Sequence, residues 1–273
     1  MDKSTILLSA GVVPWLNLTQ SLNFVKKIGF DGLEFLPARR SVAEIEKSIK
    51  IYGKNNWTKH IVNIKLIKSM HQSWRLDSES GIFFGALRLA FFPSVSASTE
   101  TLRIVSSALS CPLTVHDLSP LWVCDTSNKA LSKEIFYEIF GVDSRSPKEI
   151  KEWLKNKKHK IVVDTRDDQS LLWAKKHGFY DWRDFWNWVG IENIGNVQVT
   201  LIGIDGMKKI LNHSLTLAEE QLLWLHKKRW IGSVTVEANP LMLILLKRGD
   251  MKKGLRDIAY FVRTTLENGQ KWS

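Results

Sequence analysis

Cysteine is scarce in this chain of 273 residues, which contains only Cys111 and Cys124. Two cysteines cannot build the disulfide framework of a small secreted protein, and they lack the partners that a structural zinc site needs. Neither GxGxxG nor GxxxxGK[ST] follows a strand-like run, which excludes the common phosphate-binding loops. Repeats, low-complexity tracts and linkers are also absent. We therefore expect one domain over residues 1–273, in a reducing cytoplasm.

Long hydrophobic runs are missing too. The N-terminal stretch "MDKSTILLSAGVVPW" is too short to span a bilayer and has no small-residue cleavage pattern, so it is predicted to be a first strand and not a signal. The apolar run at 241–249 is likewise too short. It is predicted to be a helix of the fold or a dimer face, which leaves a homodimer open. No transmembrane segment is predicted.

The chain is rich in apolar and basic residues. Hydrophobic residues make up 44% and charged residues 25%, as in a folded globular protein. The formal net charge of +11 suits a phosphorylated substrate, nucleic acid or an anionic membrane, and does not distinguish among them. The basic runs at 155–160 and 226–230 resemble helix ends, where cations are favourable.

Strand-like and helix-like stretches alternate along the chain. The strand-like runs are 5–13, 31–38, 66–72, 112–118, 134–141, 160–165, 196–203 and 233–240. The helix-like stretches between and after them are 19–29, 41–53, 98–109, 146–157, 217–230 and 254–267. About eight such units in a chain close to the ~250 residues typical of these barrels favour an α/β fold, a single (β/α)₈ TIM barrel, over an open doubly wound sheet.

Polar residues end or follow several of these runs, and in such barrels the carboxyl ends of all strands meet at one mouth. They are Glu34, His71, His116, Glu138, Asp164, Gln198 and Glu237. A metal ion or an anionic substrate would compensate such a group of acids and imidazoles. Taken singly, an acid at a strand end is more often a helix cap or an ion-pair partner, and each His a core residue. Arg75 and Arg166, just beyond strand ends, either clamp a phosphate or form ion pairs on the rim.

The order of these residues resembles the xylose isomerase-like superfamily of TIM barrels, which includes sugar phosphate isomerases and epimerases and endonuclease IV-type enzymes. The resemblance covers most of the chain. It is carried by "IGFDGLEFLP", "SMHQSWR", "LTVHDL", "IFYEIFG" with "SPKEI", "IVVDT" and "IGSVTVEANP".

The resemblance implies a divalent metal held by Glu138, Asp164, Gln198 and Glu237. It also implies that Glu138 and Glu237 move a proton. From their positions at or just beyond strand ends, Glu34, His71, His116, Arg75 and Arg166 are predicted to contact the substrate. Two departures bear on the metal, because Gln198 and Asp167 stand where the family usually has His. A shell of carboxylate and amide oxygens favours Mg²⁺ or Mn²⁺ over Zn²⁺.

Three functions remain open at this point. The first is a metal-dependent isomerase or epimerase of a small sugar or sugar phosphate. The second is a non-catalytic, degenerate barrel that binds a polyol or an anion. The third is a nucleic-acid enzyme of the endonuclease IV type, which the net charge supports and the missing histidines disfavour. We expect an enzyme of the first kind, with a small sugar as its partner.

The segment 171–188 contains Trp173, Trp182, Trp186 and Trp188, out of 12 tryptophans in the chain. Aromatic and basic residues interleaved in this way can stack on bases or sugars, or form a lid over the barrel mouth. The helical spacing of Trp182 and Trp186 favours plain packing against the barrel or a second subunit.

Overall fold

A computed structural model describes residues 4–13, 15–35, 61–64, 113–115, 135–139, 145–165, 169–201, 216–238 and 250–271, with residues 43, 47, 50 and 51. Eight parallel strands form a closed barrel, in which each strand pairs with its neighbours in chain order. The barrel closes where the last strand pairs with the first, with Thr5 opposite Ser233. The predicted (β/α)₈ barrel is therefore confirmed.

The strands are short, as is usual for such a barrel. They are β1 (Thr5–Ser9), β2 (Gly32–Phe35), β3 (Ile61–Ile64), β4 (Leu113–Val115), β5 (Ile135–Glu138), β6 (His159–Asp164), β7 (Ile194–Leu201) and β8 (Ser233–Ala238). Seven of them lie in or overlap the predicted runs. The first is shorter than predicted, because a 3₁₀ turn over residues 10–12 follows Ser9.

The third strand does not lie in the run predicted for it, which falls outside the described residues. It was placed at 66–72, whereas β3 lies at Ile61–Ile64 and pairs with β2 on one side and β4 on the other. Three of its four residues are β-branched, the type that fits a pleated surface, whereas 66–72 contains one such residue, Ile67. His71 therefore does not end β3, and it lies outside the described residues.

Six helices have described bounds. They are α1 (Leu18–Lys27), α2 (Pro147–Trp153), α3 (Gln169–Lys176), α4 (Trp182–Val189), α5 (Leu217–Lys227) and α6 (Met251–Asn268). Side chains that accept a backbone N–H begin five of them: Asn17, Ser146, Asp181, Thr216 and Asp250. The predicted helix at 98–109 and the apolar run at 241–249 lie outside the described residues. None of the described helices is long and apolar enough to span a bilayer.

Alternating residues of each strand face opposite sides of the barrel wall. Residues such as Ile6, Leu8 and Val163 belong to the large buried core that also contains the apolar faces of the helices. Their neighbours Leu7, Phe136 and Val162 form a separate buried cluster. Because side chains alternate with a period of two, this second cluster lies inside the barrel. The residues two positions further along these strands, Ser9, Glu138 and Asp164, face the same side.

The barrel interior is polar along β7 and β8. Asn196 donates from Nδ2 to Ser233 Oγ at 2.9 Å and to Thr235 Oγ1 at 3.0 Å. Ser233 in turn donates to the carbonyl of Gly195 at 3.1 Å. Barrel interiors are usually filled by bulky branched residues. Here hydrogen-bonded side chains replace them on one side, directly beneath the carboxyl ends of the strands.

The tryptophan-rich segment forms α3 and α4, which pack on the barrel. Trp173 is completely buried and donates its indole N–H to the carbonyl of Arg145 at 3.0 Å. Trp182 and Trp186 are also buried and stack edge to face, with ring centroids 5.0 Å apart. The packing interpretation is therefore confirmed for these three residues, and they do not form a lid.

Candidate active site at the barrel mouth

A group of polar side chains lies at the carboxyl ends of the strands. Glu138 and Asp164 end β5 and β6, and Glu237 is the last residue but one of β8. We use the term mouth cluster for six residues: Glu34, Glu138, Asp164, Gln198, Thr200 and Glu237. Five of these residues were predicted from the sequence, and they come from five different strands. Parallel strands bring them to the same end of the barrel.

Gln198 contacts Glu138 across the barrel. The Nε2 of Gln198 donates to Oε2 of Glu138 at 3.1 Å. β5 and β7 are not neighbours, because β6 lies between them. A hydrogen bond between them is possible only if both side chains point into the interior. Gln198 is only 2% exposed, whereas Glu138 is half-buried.

Thr200 holds Asp164. Its hydroxyl donates to Oδ2 of Asp164 at 3.0 Å, and its backbone N–H donates to Thr165 Oγ1 at 3.4 Å. Thr165 itself donates its N–H to the carbonyl of Gln198 at 2.9 Å. The ends of β6 and β7 are thus joined by both backbone and side-chain hydrogen bonds. The register also places Thr200 beside Glu237, so Thr200 lies between two carboxylates.

Glu34 and Glu237 complete the acidic side of the mouth cluster. Glu34 is 1% exposed and lies opposite Ser9 in the register of β1 and β2. Glu237 is partly buried. Four carboxylates in one barrel end need hydrogen-bond donors, protons or cations nearby, because an uncompensated charge removed from water is strongly unfavourable. Gln198 and Thr200 are two such donors.

The predicted metal ligands have the donor atoms that a metal site requires. Glu138, Asp164, Gln198 and Glu237 all present side-chain oxygens, which Mg²⁺ and Mn²⁺ prefer. Their positions in the structure agree less well with a metal site. Among the described residues, no three His, Cys, Asp or Glu side chains are grouped so that they could hold one ion. Gln198 also turns its amide nitrogen, which is not a metal ligand, towards Glu138.

The other predicted contact residues are His71, His116, Arg75 and Arg166. All four lie outside the described residues, so their roles stay predictions. Sequence reasoning missed Thr200. The alternating pattern of "NVQVTL" could have identified it, because this pattern places Thr200 on the same face of the strand as Gln198 and Asn196.

Similarity to known proteins is found by comparing structures and not by comparing sequences. No protein-family model and no curated protein matches the sequence. Similar solved structures include L-ribulose 3-epimerase, with 12% identity, a TM-score of 0.55, and 97% of this chain and 95% of that chain covered. A xylose isomerase domain containing protein from Salmonella typhimurium has 14% identity and a TM-score of 0.53, with 98% of each chain covered.

A xylose isomerase domain protein from Alicyclobacillus acidocaldarius gives nearly the same values. Its identity is 14% and its TM-score 0.53, with 97% of this chain and 98% of that chain covered. The three structures span almost the whole chain, at low sequence identity. This chain therefore shares the TIM-barrel fold of these xylose isomerase domain proteins and of L-ribulose 3-epimerase.

Proposed function

We propose that the protein is an isomerase or epimerase of a small sugar or sugar phosphate, acting by proton transfer next to a carbonyl. The observation that supports this most directly is the mouth cluster itself. Acids from β2, β5, β6 and β8 end at the carboxyl end of a barrel of this fold, with Gln198 and Thr200 hydrogen-bonded to two of them. Active sites of such barrels are built at this end.

Glu138 and Glu237 are the acids proposed to move the proton. Gln198 donates to one oxygen of Glu138 and so orients its carboxylate, which a base needs if it is to reach a proton on carbon. Glu237 lies on β8, three strands away from β5, and approaches a bound substrate from another side. Two acids so separated suit proton transfer between neighbouring carbons or between the two faces of one carbon.

A divalent metal, Mn²⁺ or Mg²⁺, is part of the proposal on the basis of donor type. Glu138, Asp164, Gln198 and Glu237 would hold it, and a bound ion would polarise the substrate carbonyl. Gln198 would have to turn its amide oxygen towards the ion and release its hydrogen bond to Glu138. The side chains alone already provide sugar-binding groups, because carboxylates accept hydrogen bonds from sugar hydroxyls and amides both donate and accept.

A second candidate function is a non-catalytic barrel that binds a polyol. The observation that favours it is the Gln198 amide hydrogen-bonded to Glu138 in a mouth cluster without three grouped acids. This arrangement neutralises part of the charge by hydrogen bonding and leaves a polar pocket. The endonuclease IV-type alternative has less support, since it requires imidazole ligands and none of β5, β6, β7 and β8 ends in His.

The proposal is tested by exchange of substrate hydrogen with deuterated water across a panel of ketoses and their phosphates, with Mn²⁺ or Mg²⁺ added. Glu138→Gln and Glu237→Gln keep the size of each side chain and remove the base, so exchange should slow by ~10² or more. Sugar binding, measured by calorimetry, should change less.

Glu192→Gln is the matched control. Glu192 is exposed and precedes β7 at the other end of the barrel, so its change to an amide should leave exchange unaltered. If Glu237→Gln exchanges hydrogen as fast as the parent, or if no sugar is labelled, the isomerase proposal is wrong. Sugar binding without exchange would support the non-catalytic barrel.

A further inference from the structure

We infer that the end of the barrel opposite the mouth cluster docks on an anionic membrane surface. The cations that carry this inference are exposed and belong to three neighbouring helix ends. We call them the basic arc: Lys27, Lys227, Lys228, Arg229 and Lys271. The inference gives a role to part of the net charge of +11, which the acidic mouth cluster does not use. It does not depend on the proposed function.

The fold brings these residues to one end. Each helix after a strand returns the chain to the amino end of the barrel, so the residues after α1, α5 and α6 all lie there. Contacts join the three ends: His226 hydrogen-bonds through Nδ1 to the carbonyl of Leu266 at 2.9 Å, linking α5 to α6. Arg263 of α6 donates to the carbonyl of Gly29, just after α1, at 3.4 Å.

The positive charge of the arc is not balanced locally. Two acids near these helix ends, Asp31 and Glu267, both pair with Arg263, at 3.1 Å and 2.9 Å. Within the part of the chain that the structure describes, no ion pair involves any of the five residues of the basic arc. Their field is therefore directed outward, and attracts anions.

A favourable interaction with the helix dipole explains the presence of only some of these cations. Lysines in the last turn of a helix interact favourably with its dipole, which accounts for Lys27 and Lys227. Arg229 is different, because it has a φ of 54° at the position after a helix where glycine is normally preferred. Keeping a long cationic side chain in this left-handed conformation is unfavourable for folding, which indicates that the charge has another use.

The surface beside Arg229 fits a lipid interface better than nucleic acid. Ile231 is 59% exposed and lies two residues after Arg229 in the α5–β8 connection. Trp230, between them, is buried and donates its indole N–H to the carbonyl of Ile194 at 2.8 Å, so it does not stack on bases. Clustered lysine and arginine beside an exposed apolar side chain is the combination that anionic bilayers bind. When the protein is docked in this way, its mouth cluster faces away from the membrane and towards soluble substrates.

The test is co-sedimentation of the full chain with vesicles of phosphatidylcholine, with and without phosphatidylglycerol, at ~0.15 M salt. Binding should require phosphatidylglycerol. The variant K227Q/K228Q/R229Q should lower the partition coefficient by about 100-fold, since each cation near the surface contributes about fivefold. Its matched control is K148Q/K252Q/K253Q, which removes the same charge from exposed positions at the starts of α2 and α6, at the mouth end.

Arg229→Gly separates binding from folding. Glycine suits the positive φ, so this variant should melt no lower than the parent while its vesicle binding falls about fivefold. Equal losses in the arc variant and in its control would show that only net charge matters, and would overturn the inference. So would binding to duplex DNA that the arc variant loses while phosphatidylglycerol vesicles bind neither protein.

Discussion

At the scale of single residues, Thr200 shows how a neutral side chain stabilises the acidic mouth. It is buried and donates its hydroxyl to Asp164 at 3.0 Å. Thr200→Val keeps the shape and removes the donor, so we expect the free energy of unfolding to fall by about 1–3 kcal/mol, the usual effect of removing a hydrogen bond to a charged group. Denaturant unfolding measures it.

Thr200→Ser is the control for this prediction, because it retains the hydroxyl and loses only a methyl group. It should be closer to the parent than Thr200→Val. If the valine variant is as stable as the parent, or if serine is the more destabilising change, the hydrogen bond to Asp164 contributes nothing to folding.

At the scale of elements, the capping box of α2 makes a prediction about pH. Oε2 of Glu149 accepts from the hydroxyl of Ser146 at 2.6 Å and from its backbone N–H at 2.7 Å. These bonds, the hydroxyl first, lower the pKa of Glu149 below its ordinary value. A lowered pKa in the folded state stabilises it above the unfolded pKa, and this contribution is lost as the pH falls through the folded pKa.

Ser146→Ala removes the larger cause, so the pKa of Glu149 should rise towards its ordinary value in a carboxyl NMR titration. The stability difference between parent and variant that arises from Glu149 should then disappear at low pH. Ser146→Thr retains the hydroxyl and should titrate like the parent. A Glu149 titration unchanged in Ser146→Ala would contradict the assignment of the shift to this cap.

The pair α3 and α4 makes a prediction about packing. Trp173 is fully buried against Phe185 and Phe179, with ring centroids 5.9 Å and 6.2 Å away. Trp173→Leu leaves a cavity and removes the hydrogen bond to the carbonyl of Arg145, so we expect it to destabilise the protein by about 3–5 kcal/mol. Tyr180, in the α3–α4 connection, is 86% exposed, and Tyr180→Ala should change stability by about 0.5 kcal/mol at most.

Thermal or denaturant unfolding of these two variants distinguishes packing from a binding role. A Trp173→Leu protein with the stability of the parent would mean that α3 contributes little to the core. Weaker sugar binding in Tyr180→Ala would instead support the interpretation that segment 171–188 contacts the ligand.

At the scale of the whole molecule, the metal proposal predicts a change in melting temperature. A ligand that binds only the folded state stabilises it by about 2.7 kcal/mol at a concentration of 100 times its Kd. Mn²⁺ or Mg²⁺ should therefore raise the melting temperature of the parent. The rise should vanish in Asp164→Asn and Glu237→Gln and persist in Glu192→Gln. A parent melting temperature indifferent to millimolar Mn²⁺ would favour the non-catalytic polyol-binding barrel.

Much of the fold was predictable because it depends on local patterns. Strand-like and helix-like runs alternate in a chain of suitable length, and that order leads to parallel strands with helices outside. The strand-like runs also placed Asp164 and Glu237 at the carboxyl ends of β6 and β8, whereas Gln198 lies three residues before the end of β7. These features follow from the pattern within each segment, so no contact between distant segments is needed to predict them.

Only the tertiary structure decided the rest, because it depends on contacts between residues far apart in the chain. The third strand is defined by its pairing with β2 and β4, which places it at Ile61–Ile64 and not in the run that the local pattern indicated. Closure of the barrel brought Gln198 to Glu138 across an intervening strand and set Thr200 between Asp164 and Glu237. It also gathered the ends of α1, α5 and α6 into one basic face. Local propensity is unable to specify such register and proximity, since both arise only when every strand is paired at once.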